Sequence, residues 1–81
     1  MLKQKNVVVT GANRGIGFAI AKTFAAQGAH VFACMRSLDP DVLERLASDV
    51  EPERINGVAL DLGEEPSIRA AIKEIASFTG N

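Results

Sequence analysis

The chain has no tryptophan and no tyrosine, one cysteine and one histidine. Each shortage narrows the chemistry open to it. Without tyrosine there is no phenol to exchange a proton, and a single Cys34 cannot close an internal disulfide, which agrees with a reducing compartment. Cys34 falls inside an apolar run, so it reads as a small buried hydrophobe rather than a reactive thiol. His30 has no Cys, Asp or His partner at metal-ligand spacing and is expected at the surface or at a strand edge, with no metal assigned. No apolar stretch approaches the roughly 20 residues that span a bilayer, and residues 1–6 lack the apolar run of a signal peptide, so a cytoplasmic protein is expected. Basic tracts and basic helix faces are missing too, and the net charge of −1 argues against nucleic acid and against anionic membrane as partners. With 81 residues, 47% hydrophobic and 23% charged, the composition suits one small α/β domain at most.

What the chain does have is concentrated between Val7 and Gly17. Val7, Val8 and Val9 are β-branched and apolar on both faces, which predicts a parallel strand covered on both sides. Three glycines follow, spaced G-x3-G-x-G, and then a helical pattern over residues 18–27. Gly11 allows a tight exit from the strand, Gly15 a close approach to a ligand, and Gly17 a helix lying near the strand. Such a helix begins with free N–H groups and about half a positive charge, a seat for phosphate or pyrophosphate.

The remaining chain reads as support. Ile16, Ile20 and Phe24, with Ala19 and Thr23 beside them, form an apolar stripe at helical spacing, and Gly28 supplies a left-handed stop. Residues 30–35 predict a second strand, apolar from Val31 to Met35 and buried on both faces. Asp39 can cap a helix beginning at Pro40, with Val42, Leu43, Leu46, Ala47 and Val50 on one side, Arg45 and Asp49 on a solvated opposite side, and Pro52 as its end. Residues 55–60 predict a third, poorer strand interrupted by Gly57. The stretch Gly63-Glu64-Glu65-Pro66 opens a third helix whose buried face carries Ile68, Ile72 and Ile75, and residues 79–81 close the chain. The order β-α-β-α-β-α implies a parallel sheet with right-handed crossovers.

Thr10-Gly11-Ala12-Asn13-Arg14-Gly15-Ile16-Gly17 resembles the Thr-Gly-x-x-x-Gly-x-Gly fingerprint of the short-chain dehydrogenases/reductases at every fixed position. Its wording is most similar to the 3-oxoacyl-(acyl carrier protein) reductase branch. The resemblance implies a three-layer α-β-α Rossmann-type parallel sheet, here only its first β-α-β-α-β-α half, with strand order 3-2-1 and residues 1–81 forming the cofactor-binding part. It also implies hydride transfer between a nicotinamide cofactor and a carbonyl or alcohol substrate, including 3-oxoacyl thioesters. The fingerprint's relatives continue into a fourth strand with an Asn-Asn-Ala-Gly motif, then the catalytic Ser and Tyr-x-x-x-Lys pair, and no counterpart of these stands in this sequence. The chain is therefore expected to be an N-terminal fragment with no catalytic residue of its own. The alternative is a non-catalytic nucleotide-binding or redox-sensing module.

The end of the second strand decides between NAD and NADP. An acidic residue there would bind the ribose hydroxyls and repel a 2′-phosphate; the chain has Met35-Arg36-Ser37 instead. Arg36 can fork onto a phosphate, Ser37 can add a hydrogen bond, and Arg14 can converge on the same place, which favours NADP(H) over NAD(H). By resemblance, Asp61 accepts the adenine amino group, the Leu62 backbone contacts the ring, and Asn13 meets the adenosine phosphates or ribose. The expected site is thus Gly11, Asn13, Arg14, Gly15, Ile16, Gly17, Arg36, Ser37, Asp61 and Leu62. An unpaired first strand would leave an apolar edge open, so a homo-oligomer pairing through that edge is expected.

Overall fold

A computed structural model describes residues 5–79; residues 1–4 and 80–81, the ends of the tail and of the closing segment read above, lie outside it. The middle of the sheet is β2 (His30–Met35), flanked by β1 (Asn6–Thr10) and β3 (Ile55–Ala59), all parallel in the order β1-β2-β3. Register runs Val7 with Val31, Val9 with Ala33, and onward Val31 with Ile55 and Ala33 with Gly57. Helices α1 (Gly15–Ala26), α2 (Pro40–Leu46) and α3 (Glu65–Thr79) complete the alternation, with a 3₁₀ turn at Pro52–Arg54. This is the expected Rossmann-type half, with strand order 3-2-1. Among the described residues no helix is long and apolar enough to cross a membrane.

β2 behaves as the apolar run predicts, with every residue from Val31 to Met35 buried. Its odd-numbered residues face α1 and α2 in one core with Val9, Ala21, Ala25, Val42 and Leu46. Its even-numbered residues Phe32 and Cys34 face α3, with Val58 and Ala71. Burial raises the Cys34 thiol above its ordinary pKa, and the charge of Glu74 raises it further, as a buried hydrophobe should show.

Several local expectations are corrected. β1 is not covered on both sides: α3 lies over β3 rather than β1, and Val8 is 50% exposed. The apolar stripe of α1 is displaced as well. Ile16 is 80% and Ile20 41% exposed, Ala19 and Thr23 are exposed, and only Phe24 of the stripe packs on the core. Gly17 explains the rotation. A Cβ there would stand 2.1 Å from the Gly11 carbonyl oxygen, so α1 meets the β1 turn at Gly17, and along the same side of the helix Ala21 and Ala25 are buried in the core with Val9. Small side chains, not the large ones, mark the buried edge.

In α2 the Asp39 cap forms, its Oδ1 accepting from Asp41 N at 3.0 Å ahead of Pro40. The helix then ends at Leu46, short of Pro52, which opens the 3₁₀ turn instead. Asp49 therefore lies off the helix, and Arg45 does not sit on a merely solvated face: its guanidinium stands 4.9 Å from the centre of the Phe18 ring. In α3, Ile72 is 62% exposed while Ala71 is buried and Ile68 and Ile75 are half-buried. The contact edge of α3 runs through Ile68, Ala71 and Ile75, spaced three and four apart, and Ile72 falls beside it. His30 stands at one end of its strand, as one of the two expectations had it, but not on the open surface. It is half-buried at the start of β2, donates from Nε2 to Asn56 Oδ1, stacks on Phe32 at 4.9 Å and meets Phe78 at 5.5 Å.

Candidate functional site

Because the three strands are parallel, the loops that leave them gather at one end of the sheet. Two main-chain bonds hold the gathering: Ala12 N donates to Cys34 O at 3.0 Å, and Leu60 N to Met35 O at 2.9 Å. Between the loops lies a cleft of about 710 Å³. Gly11, Asn13 and Arg14 line it from the first loop, Arg36 and Ser37 from the second, and Asp61 and Leu62 from the third. Seven of the expected site residues are thereby brought to one place. Gly15, Ile16 and Gly17 do not line the cleft; they form the first turn of α1 beside it.

The glycine turn supplies the shape. Gly11 and Gly15 sit at φ of 63° and 61°, where an L side chain is strained, although a Cβ at either would meet nothing within 4 Å. Backbone angle, not space, requires glycine there. Gly17 is the converse case, held by the contact with Gly11 already described.

The three helix starts differ in how they are finished. Asp39 caps α2, with Asp41 in its first turn, and Glu65 occupies the first turn of α3. At α1 the N-cap is Arg14, whose side chain makes no capping bond, and the first turn carries no acid. Among the described residues the amides of Gly15, Ile16 and Gly17 donate to no acceptor, while Phe18 N bonds back to Arg14 O at 3.3 Å. The positive end of that helix dipole meets neither a capping side chain nor an acid among the described residues.

Opposite it, Arg36 reaches across the cleft with its side chain 81% exposed and Nε 3.8 Å from Asp61 Oδ2. Asp61 is the anchored partner. Its amide donates to Ser67 Oγ at 2.8 Å, and its Oδ1 accepts from Gly63 N at 2.9 Å. Sequence reasoning missed Ser67 and also Thr10, Met35, Leu60 and Gly63, which line the cleft. Asp61-Leu62-Gly63 was open to discovery as an Asp side chain bonding the amide two residues on. The reach of Ser67 back to Asp61 from the next helix had no signal of that kind.

Over residues 5–81 the chain matches the family model described as short chain dehydrogenase. The chain belongs to the short-chain dehydrogenase family. It is 43% identical, over 60 residues, to the WW domain-containing oxidoreductase of Pongo abelii, covering 72% of this chain and 14% of that protein. Among solved structures it is similar to 3-ketoacyl-(acyl-carrier-protein) reductase from Brucella melitensis complexed with NADH. That likeness has a TM-score of 0.81 and 33% identity, and covers all of this chain and 32% of the other. L-sorbose reductase from Gluconobacter frateurii complexed with NADPH and L-sorbose gives a TM-score of 0.83 at 31% identity, over 94% of this chain and 29% of that one. This short-chain dehydrogenase sequence thus spans from 14% to 28% of the length of curated relatives that it matches.

Proposed function

We propose that residues 1–81 form the cofactor-binding half of an NADP(H)-dependent short-chain oxidoreductase, whose whole protein moves hydride between the nicotinamide and a carbonyl or alcohol substrate. The observation that carries the reading is the bare start of α1: uncapped, without an acid, and with the amides of Gly15, Ile16 and Gly17 free of acceptors beside a cleft that two arginines line. A coenzyme pyrophosphate fits that seat, since main-chain donors and a helix dipole replace a side-chain cation. The adenosine end would lie toward Arg36, Ser37, Asp61 and Leu62, with Asn13 and Arg14 between. When bound, the nicotinamide supplies the hydride chemistry; the residues of this chain bind and orient it. The relatives complexed with NADH and with NADPH support a nicotinamide coenzyme, and their names support carbonyl substrates such as 3-oxoacyl thioesters or sugars.

Selection of the phosphorylated coenzyme is argued from charge. A charge-assisted hydrogen bond contributes about 1.5 to 3 kcal/mol, so one contact from Arg36 to the 2′-phosphate favours NADPH by roughly tenfold or more. Calorimetric titration should show NADPH binding at least about tenfold tighter than NADH, and Arg36→Asp should reverse the order. Equal dissociation constants in the unaltered protein would remove the NADP assignment. Cytoplasmic residence belongs to the same reading, with which a single unpaired Cys34 agrees.

The open edge of β1 supports a second part of the proposal. Asn6–Thr10 is an outer strand without charge or proline, and Val8 is exposed on it. Such an edge pairs readily with another strand, so the 81-residue chain is expected to associate with itself through β1. Sedimentation that finds a folded monomer at micromolar concentration would refute the association.

A further inference from the structure

We infer that Asp61 is a specificity-determining counter-ion, which pairs with Arg36 and thereby reduces the advantage that a 2′-phosphorylated adenosine holds over an unphosphorylated one in this cleft. The inference rests on the coenzyme reading above and concerns how sharply the site discriminates. Its ground is the asymmetry of the pair. Ser67 Oγ holds the Asp61 main chain and Gly63 N holds Oδ1, so Oδ2 is presented from a fixed position, 3.8 Å from Arg36 Nε. Arg36 is the exposed and adaptable member. An acid on the Nε side leaves the two terminal nitrogens of the guanidinium for a phosphate, so binding and pairing are compatible. The carboxylate still cancels part of the charge that a 2′-phosphate would feel, and adds its own repulsion. Arg14 has no carboxylate within ion-pair distance among the described residues, so Arg36 is the arginine of the cleft whose charge is tempered.

The experiment uses 2′,5′-ADP and 5′-AMP, which differ only by the 2′-phosphate, titrated by calorimetry into the 81-residue chain and into Asp61→Asn, Arg36→Gln and the double variant. Asparagine keeps the acceptor for Gly63 N, and because Asp61 also lines the adenosine end of the cleft, the quantity read is the ratio of 2′,5′-ADP to 5′-AMP affinity, from which any loss common to both nucleotides cancels. Asp61→Asn should raise the preference for 2′,5′-ADP about two- to fivefold, the span that an exposed ion pair covers. The gain should shrink in added salt and should fall by at least half in the Arg36→Gln background. An unchanged or lowered preference overturns the proposal, and so does an equal gain with and without Arg36, which would mean that Asp61 acts on the phosphate directly. Abolished binding of both nucleotides in Asp61→Asn overturns it in favour of a structural role. If neither nucleotide binds the unaltered chain, the coenzyme reading itself fails and the proposal falls with it, whereas binding with unaltered selectivity refutes the proposal alone.

Discussion

On one face of the sheet α1 and α2 bury a core of ten residues, half of them alanine; on the other, α3 buries four, of which Phe32 is the largest. The first face is built by close approach. Gly17, Ala21 and Ala25 bring the α1 backbone down onto β1, and Met35, Val42 and Leu46 fill the space toward α2. The second depends on one aromatic ring and its neighbours, His30 and Phe78, and it leaves Val8 in solvent. The difference teaches where the fold is redundant. Many small contacts tolerate the loss of one, while a face with a single large side chain does not.

Substitution can break that comparison directly. Phe32→Ala should have the largest effect, about 3 to 5 kcal/mol for a buried aromatic truncated to alanine. Leu46→Ala on the thicker face should fall within about 2 to 5 kcal/mol and below Phe32→Ala. Urea unfolding of both variants checks the order; a milder Phe32→Ala would mean that α3 is not held chiefly by that ring. Gly17→Ala sharpens the other half of the contrast. Its new methyl would meet backbone rather than a yielding side chain, and about 1 to 3 kcal/mol should be lost as α1 is pushed off the sheet, read as a lowered urea midpoint. A neutral Gly17→Ala would deny that close approach builds the first face.

The smallest effect is in pH. The Cys34 thiol is raised on folding, so the folded chain keeps its proton where the unfolded chain gives it up. Stability is therefore unaffected by this group below the ordinary thiol pKa, about 8.5, and falls as pH rises through and beyond it. Chemical unfolding at neutral pH and at pH 10 should show the decline in the native chain and a smaller one in Cys34→Ala, while alkylation of Cys34 in the folded state stays slow.

Much of this was legible in the residues. β2 could be located because Val31 to Met35 is apolar without interruption, which only a strand buried on both faces sustains. The α2 cap could be read from Asp39 and Pro40, since capping is a local matter of one side chain and one missing N–H. Within the site, the glycine loop, Arg36-Ser37 and Asp61-Leu62 could each be found because a strand end followed by a helix start announces itself. The helix faces were less legible. Ile16, Ile20 and Ile72 obey helical spacing and still point away from the core, because spacing gives a period and not a phase. The ring contacts of His30 were hidden for a related reason: Phe78, which its ring meets at a tilt, is far away in the chain and arrives only when α3 crosses the sheet.

The order of the elements, the family's glycine turn and the basic residues after the second strand follow from the sequence by itself, because each depends on neighbours a few positions apart. Which side of α1 meets the sheet, the gathering of three separate loops around one cleft, and the anchoring of Asp61 by Ser67 opposite Arg36 were decided by the tertiary structure. Those outcomes turn on contacts between distant segments, such as the backbone of Gly17 against Gly11, and a steric limit of that kind exists only once the chain has folded back on itself.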